Sequence, residues 1–109
     1  MARNIIDLPT LGDDGKLYRD TAVDMVESLI PNLWKSCHAP DLLELENGDL
    51  LCCWFAGSRE GNADISIAVA RLPADAEQWE QPVIVSDDPT RSEQNPSLFQ
   101  TPNGDIWLM

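Results

Sequence analysis

The sequence predicts a repeating all-β chain, on two observations: one segment returns at a fixed offset, and apolar residues alternate with a period of two. Pro40-Asp41-Leu42-Leu43-Glu44-Leu45-Glu46-Asn47-Gly48-Asp49-Leu50 lines up with Pro96-Ser97-Leu98-Phe99-Gln100-Thr101-Pro102-Asn103-Gly104-Asp105-Ile106, an offset of 56 residues. The copies match at Pro, Leu, Asn, Gly and Asp and keep apolar character at two further positions. Each reads as a hairpin: an apolar strand, an Asn-Gly-Asp turn whose Asn and Gly tolerate positive φ, and a second apolar strand. A hairpin returning at this spacing belongs to an array of blades or solenoid turns, because one such unit cannot bury its apolar face without neighbours.

Taken in order, residues 1–33 read as an N-terminal arm or lead-in segment. Gly12-Asp13-Asp14-Gly15 is a turn. Residues 20–29 fit either a short helix, permitted by the Asp20/Thr21 start and by Val23, Val26 and Ile30, or an extended arm. Residues 34–109 hold the first unit and the start of a second, with strands expected at about 39–45, 49–56, 64–71, 82–86, 96–100 and 105–109. Ile65, Ile67 and Val69 alternate with Ser66, Ala68 and Ala70, the period of a half-buried strand. The last residues, Ile106-Trp107-Leu108-Met109, lie within an apolar strand, so a C-terminal truncation is expected. On that expectation the apolar residues around Leu51, Trp54, Ile106 and Leu108 stay exposed.

Composition narrows the partners. Seven basic residues against nineteen acidic ones give a formal charge of −12, which repels phosphate backbones and anionic lipid surfaces. Neither nucleic acid nor membrane is therefore an expected partner. The longest apolar stretch, Leu50 to Ala56, is too short to span a bilayer. Met1-Ala2-Arg3-Asn4-Ile5-Ile6-Asp7 meets an acid before a secretory hydrophobic stretch forms. The three cysteines are an odd count, and Cys52 and Cys53, adjacent in a strand, point to opposite faces. A reducing cytoplasm is the expected compartment, and no disulfide framework is expected. Cys37 and His38 are adjacent, with no second Cys/His pair after them, so no metal site or cofactor is expected either.

The run Cys37-His38-Ala39-Pro40 through Asn47-Gly48-Asp49-Leu50-Leu51, then Trp54-Phe55-Ala56-Gly57-Ser58-Arg59-Glu60-Gly61-Asn62-Ala63-Asp64-Ile65-Ser66-Ile67, resembles the first blade of the sialidase-like family with BNR, or Asp-box, repeats. The resemblance covers residues 34 to 109. It implies a partial β-propeller, about one to two blades of a six-bladed ring. That family's first blade reads Arg-Ile-Pro, strand, Asn/Asp-Gly, strand, polar loop, then Asp-Ile-X-Ile. Two places differ here. His38 stands where sialidases carry one of three arginines that clamp the sialate carboxylate, and an imidazole cannot supply that permanently charged bidentate fork. Leu72-Pro73-Ala74-Asp75-Ala76-Glu77-Gln78-Trp79 is a degenerate Asp-box, lacking the Gly and holding its acid one place late, so Trp79 reads as structural.

Seven residues form the candidate site. His38, the only histidine, opens the first repeated strand and is a candidate general acid/base; its plainer reading is a histidine bonded to backbone at a strand start. Glu60 and Asp64 lie in the loop that bears the acid/base carboxylate in sialidases, and two carboxylates there suit a protonated and an ionised partner. Asp64 equally suits an anchor that bonds loop amides. Arg59 and Arg91 are loop cations able to pair with a sialate or uronate carboxylate, or with Glu60 and Glu93. Gln94 and Asn95 precede the second repeated strand where His38 and Ala39 precede the first, so the repeat places a histidine and an amide around one opening. Trp34, Trp54 and Trp107 suit either sugar stacking or blade packing.

The resemblance implies an exo-sialidase-type glycoside hydrolase acting on anionic glycans. Such an enzyme uses a Tyr nucleophile activated by Glu. The only tyrosine, Tyr18, precedes the first blade, so these 109 residues alone are expected to be inactive. The alternatives are a lyase on uronic-acid glycans, with His38 as base and Arg59 neutralising the carboxylate, and a non-catalytic glycan-binding propeller.

Overall fold

The computed structural model describes residues 5–7, 11–59, 64–86 and 95–109. They form an all-β, partial propeller-like fold, with no helix among the described residues. Three short strands come first: β1 (Ile6–Asp7), β2 (Tyr18–Asp20) and β3 (Met25–Glu27), in the order β1-β2-β3. The central sheet is an antiparallel meander of β4 (Ser36–Glu44), β5 (Leu50–Gly57), β6 (Ser66–Leu72) and β7 (Val83–Ile84). A two-stranded hairpin, β8 (Leu98–Gln100) with β9 (Ile106–Leu108), follows. All six strands expected after residue 34 are present within a few residues of their expected bounds.

Of the two readings of residues 20–29, the helix is excluded. The Asp20 side chain accepts the Ala22 N–H at 3.0 Å, an Asx turn that competes with a helical start, and Asp24 takes a left-handed φ of 52°. The chain reverses there, and β2 pairs with β3.

The repeat is visible in the backbone. Leu45 N–H donates to the Asp49 carbonyl at 2.8 Å and Gly48 N–H to the Leu45 carbonyl at 2.9 Å. At the same offset, Thr101 N–H donates to the Asp105 carbonyl at 2.8 Å and Gly104 N–H to the Thr101 carbonyl at 2.9 Å. Gly48 and Gly104 hold φ of 90° and 95°, where a side chain is strained and glycine is not. A left-handed residue before a proline repeats too: Ala39, within β4, and Asn95, ahead of β8, sit at φ 53° and 55°.

Strand alternation gives the central sheet two cores. Cys52, Trp54, Ala56, Ala68, Ala70 and Leu72 pack with Leu17 and Trp79, joined by Ile5, Ile30 and Trp34 from the N-terminal segment. Leu51, Cys53, Phe55, Ile65 and Ile67 pack on the opposite face with Leu45 and Leu98. Cys52 and Cys53 thus face opposite cores, and burial pushes the Cys52 thiol up to about 11. The expected exposure of apolar residues holds for only half of the residues named. Ile106 and Leu108 are exposed, but Leu51 and Trp54 are each only 7% exposed, because the start of β8 covers one face and Ile5, Leu17, Ile30 and Trp34 cover the other. Trp79 is buried, and its backbone N–H donates to the Gly15 carbonyl at 2.8 Å, fastening the N-terminal segment to the sheet.

Asp49 locks the far end of the sheet. Its buried carboxylate receives the Arg71 guanidinium, Nε at 2.8 Å, and the Ala74 N–H at 2.8 Å. The Arg71 hydrogen bond, aided by Ala74, holds the Asp49 carboxyl below its ordinary 3.8. A depressed carboxylate adds stability that is fully present above its unfolded value and is lost as pH falls through the folded one. Asp49→Asn is therefore expected to lower the urea midpoint at neutral pH, with the gap to the native chain closing as pH drops below about 3.8. A gap constant into strong acid would show that the charge plays no part.

Candidate functional site

The site is built at the end of the sheet where β4 begins and β5 ends. Ser36 pairs with Gly57 and His38 with Phe55, so the start of β4 lies beside the loop that leaves β5. His38 is exposed, and its ring stacks on Phe55 at 5.3 Å between centroids and 19° between planes. One face of the imidazole thus rests on the core while its edge meets solvent, where it can take or give a proton. The plainer reading, a histidine side chain tied to backbone, has no hydrogen bond to support it among the described residues.

After His38 the strand bulges. His38 pairs with Phe55 and Asp41 with Cys53, so Ala39 and Pro40 together oppose the single residue Trp54. The left-handed φ of Ala39 accommodates the extra residue. Because of it, His38 and Asp41 occupy register positions on one face rather than on opposite ones.

The loop after β5 opens at a forced glycine. A Cβ on Gly57 would lie 2.7 Å from Ile65 Cδ1 and 2.9 Å from the Asp64 carbonyl oxygen, so only glycine lets the chain pass. Ser58 then binds Asp64 through its N–H at 3.3 Å and its hydroxyl at 3.0 Å. Both Asp64 oxygens are engaged in closing the loop, the anchoring arrangement. Arg59, exposed, follows Ser58 directly at the same end.

Asn95 comes to this end through the direction of β8. Leu98 N–H donates to Asp41 Oδ2 at 2.8 Å, and just past the end of β4 Glu46 N–H donates to Gln100 Oε1, at the end of β8, at 3.1 Å. β8 therefore runs the same way as β4, and Asn95 lies toward the His38 end, exposed. The described residues thus bring His38, Arg59, Asp64 and Asn95 to one end of the fold. Glu60, Arg91 and Gln94 lie outside the described residues.

Trp54 is buried edge-on against Trp34, ring centroids 6.4 Å apart, and serves packing. Trp107 is 54% exposed and stacks on Phe99 across the β8–β9 pair at 6.0 Å. Tyr18 is buried, and its hydroxyl donates to Asp14 at 2.9 Å. A cavity of about 320 Å3 lies between residues 28–32 and the β4–β5 pair, with Cys37, His38 and Pro40 in its wall. Burial raises the Cys37 thiol at its wall, partly offset by the Trp54 indole. No group of three or more His, Cys, Asp or Glu able to hold a metal ion is present among the described residues.

Repeated hairpins with matching turns, matching left-handed residues before their prolines and a four-stranded meander define the class: a propeller-like repeat protein. The sequence profile of the BNR repeat-like domain matches residues 48–109, and the chain belongs to that family. No curated protein and no solved structure matches the chain.

Asp41 escaped the sequence reading. Its signal was present, as the acceptor-bearing residue after the repeated proline, but the bulge that turns it onto the His38 face follows from the φ of Ala39 and has no mark in residue type.

Proposed function

We propose that this chain carries part of the active site of a carbohydrate-active protein that cleaves anionic glycans, with sialidase-type glycoside hydrolysis as the leading reaction. The observation that supports it is the convergence of His38, Arg59 and Asn95 at one end of a BNR-type blade. In a chain of net charge −12, an anionic sugar needs a local cation, and Arg59 offers a guanidinium to its carboxylate. Glu60, which follows Arg59 in the sequence, takes the role of the acid that protonates the leaving oxygen, and Arg91 and Gln94 take the role of further glycan-binding groups. Tyr18 is not the nucleophile, since it is buried and bonded to Asp14. A tyrosine nucleophile must then come from outside these 109 residues. Three unpaired thiols suit a reducing compartment, which we take to be the cytoplasm.

A specific observation favours a second reading. Asp64 is tied to Ser58, and His38 replaces the carboxylate-clamping arginine, an arrangement suited to β-elimination. Arg59 then neutralises a uronate carboxylate, His38 removes the proton α to it, and the glycosidic oxygen departs as the double bond forms.

One assay separates the readings. The whole protein is incubated with a sialylated oligosaccharide and with a uronic-acid polymer. Hydrolysis releases reducing sugar with no new ultraviolet absorbance, whereas elimination creates the absorbance of an unsaturated uronate. Binding without either product would overturn both and leave a glycan-binding propeller.

A further inference from the structure

We infer that Asp41 is the positioning residue of this site, holding the start of β8 in register with the start of β4 so that His38 and Asn95 meet one ligand. The inference rests on the reading of His38 and Asn95 as ligand-facing groups. It adds a residue that neither the repeat nor the family pattern marks.

Three observations carry it. The bulge at Ala39-Pro40 sets Asp41 on the His38 face, two register steps further along β5, about 7 Å at the strand rise. The Asp41 carboxylate accepts the Leu98 N–H at 2.8 Å, across 57 residues of chain, from the first residue of β8. Leu98 follows Asn95 by three residues, and Asn95 shares with Ala39 a left-handed φ directly before a proline. A carboxylate accepting a backbone N–H is a short, strong and directional bond. Glu46 and Gln100 also join the two hairpins, but at the far end and exposed. At the site end, then, Asp41 supplies the side-chain hydrogen bond that ties the start of β8 to β4, beside the buried Pro96 and Leu98.

Leu98 itself is buried in the core with Phe55, the residue on which His38 stacks. Asp41 thereby secures the start of β8 from the polar side and Leu98 from the apolar side. Loss of the carboxylate leaves the backbone there free to shift while its apolar anchor stays in place. A displacement of about 1 Å at a binding group is enough to reduce turnover up to a hundredfold.

The test uses the whole protein, a sialylated oligosaccharide and a uronic-acid polymer as probes, and a double-mutant cycle with Asn95. Asp41→Ala is expected to lower turnover about tenfold or more on whichever probe is cleaved, measured at a temperature where thermal melting shows it folded. Asp41→Asn, which keeps a carbonyl oxygen as acceptor, is expected to retain most of the activity. Because Asp41 acts through Asn95, Asp41→Ala with Asn95→Ala is expected to be no worse than the poorer single variant. Multiplying losses would show a merely structural role and overturn the inference, as would full activity of Asp41→Ala. If the native protein cleaves neither probe, the functional reading fails and positioning is judged by backbone resonances. Asp41→Ala must then shift the Leu98, Asn95 and His38 signals while leaving those of the Asn103-Gly104 turn in place. Unmoved Asn95 and His38 signals overturn it.

Discussion

Replacing His38 with alanine in the whole protein is expected to lower turnover on an anionic glycan about a hundredfold or more, the usual loss for a general acid or base. The stack on Phe55 fixes the ring plane without using either nitrogen, and among the described residues neither nitrogen is hydrogen-bonded. The ring is exposed, so the fold loses little when it is removed, and the effect should fall on kcat with the melting temperature nearly unchanged. Glu60→Gln is the companion variant. A loss of similar size in Glu60→Gln points to the hydrolase, in which the carboxyl protonates the leaving oxygen. Loss in His38→Ala alone points to the lyase. Unchanged turnover in both would remove the site from this end of the sheet.

The largest effect on stability is expected at Ile65. Its side chain is fully buried on the β8-facing side of the sheet, and its Cδ1 occupies the space that the missing Gly57 side chain leaves open. Ile65→Ala removes three carbons from a site where the forced Gly57 backbone leaves the neighbours little freedom to collapse, so a cost of about 2–5 kcal/mol is expected. That is a large part of the roughly 5–15 kcal/mol that holds a typical domain together. Ile65→Val should cost about 0.5–1.5 kcal/mol, and urea unfolding with unchanged slope measures both. A cost below about 1 kcal/mol for the alanine variant would mean that this face is loosely packed.

Strand positions were legible because turn chemistry and period-two alternation are local. Asn47-Gly48 and Asn103-Gly104 mark their turns in residue type, and the backbone bonds repeat at the same offset. The fate of Leu51 and Trp54 was not legible, since it depends on which distant segment covers each face. Leu17, Ile30 and Trp34 cover the Trp54 side, yet no pattern in residues 5–34 announces that they pack there. Residues 20–29 were ambiguous for a related reason: spacing that suits a helix also suits two short strands, and the Asx turn at Asp20 decided between them. At the site, the convergence of His38 and Asn95 could be read from the repeat. The bulge could not, because Ala39 is not a residue type that advertises a left-handed φ.

The β8–β9 hairpin has a consequence for motion. Among the described residues it is held to the central sheet by one buried leucine and two side-chain hydrogen bonds, while its outer residues Phe99, Ile106 and Trp107 stay exposed. Amides in such a lightly held unit exchange with solvent through local opening at a fraction of the free energy needed to unfold the molecule. The amides of β8 and β9 should therefore exchange together and early, and those of β5 and β6 last. Asn95 leads into this hairpin and His38 lies on the sheet, so in these 109 residues each such opening would part the two.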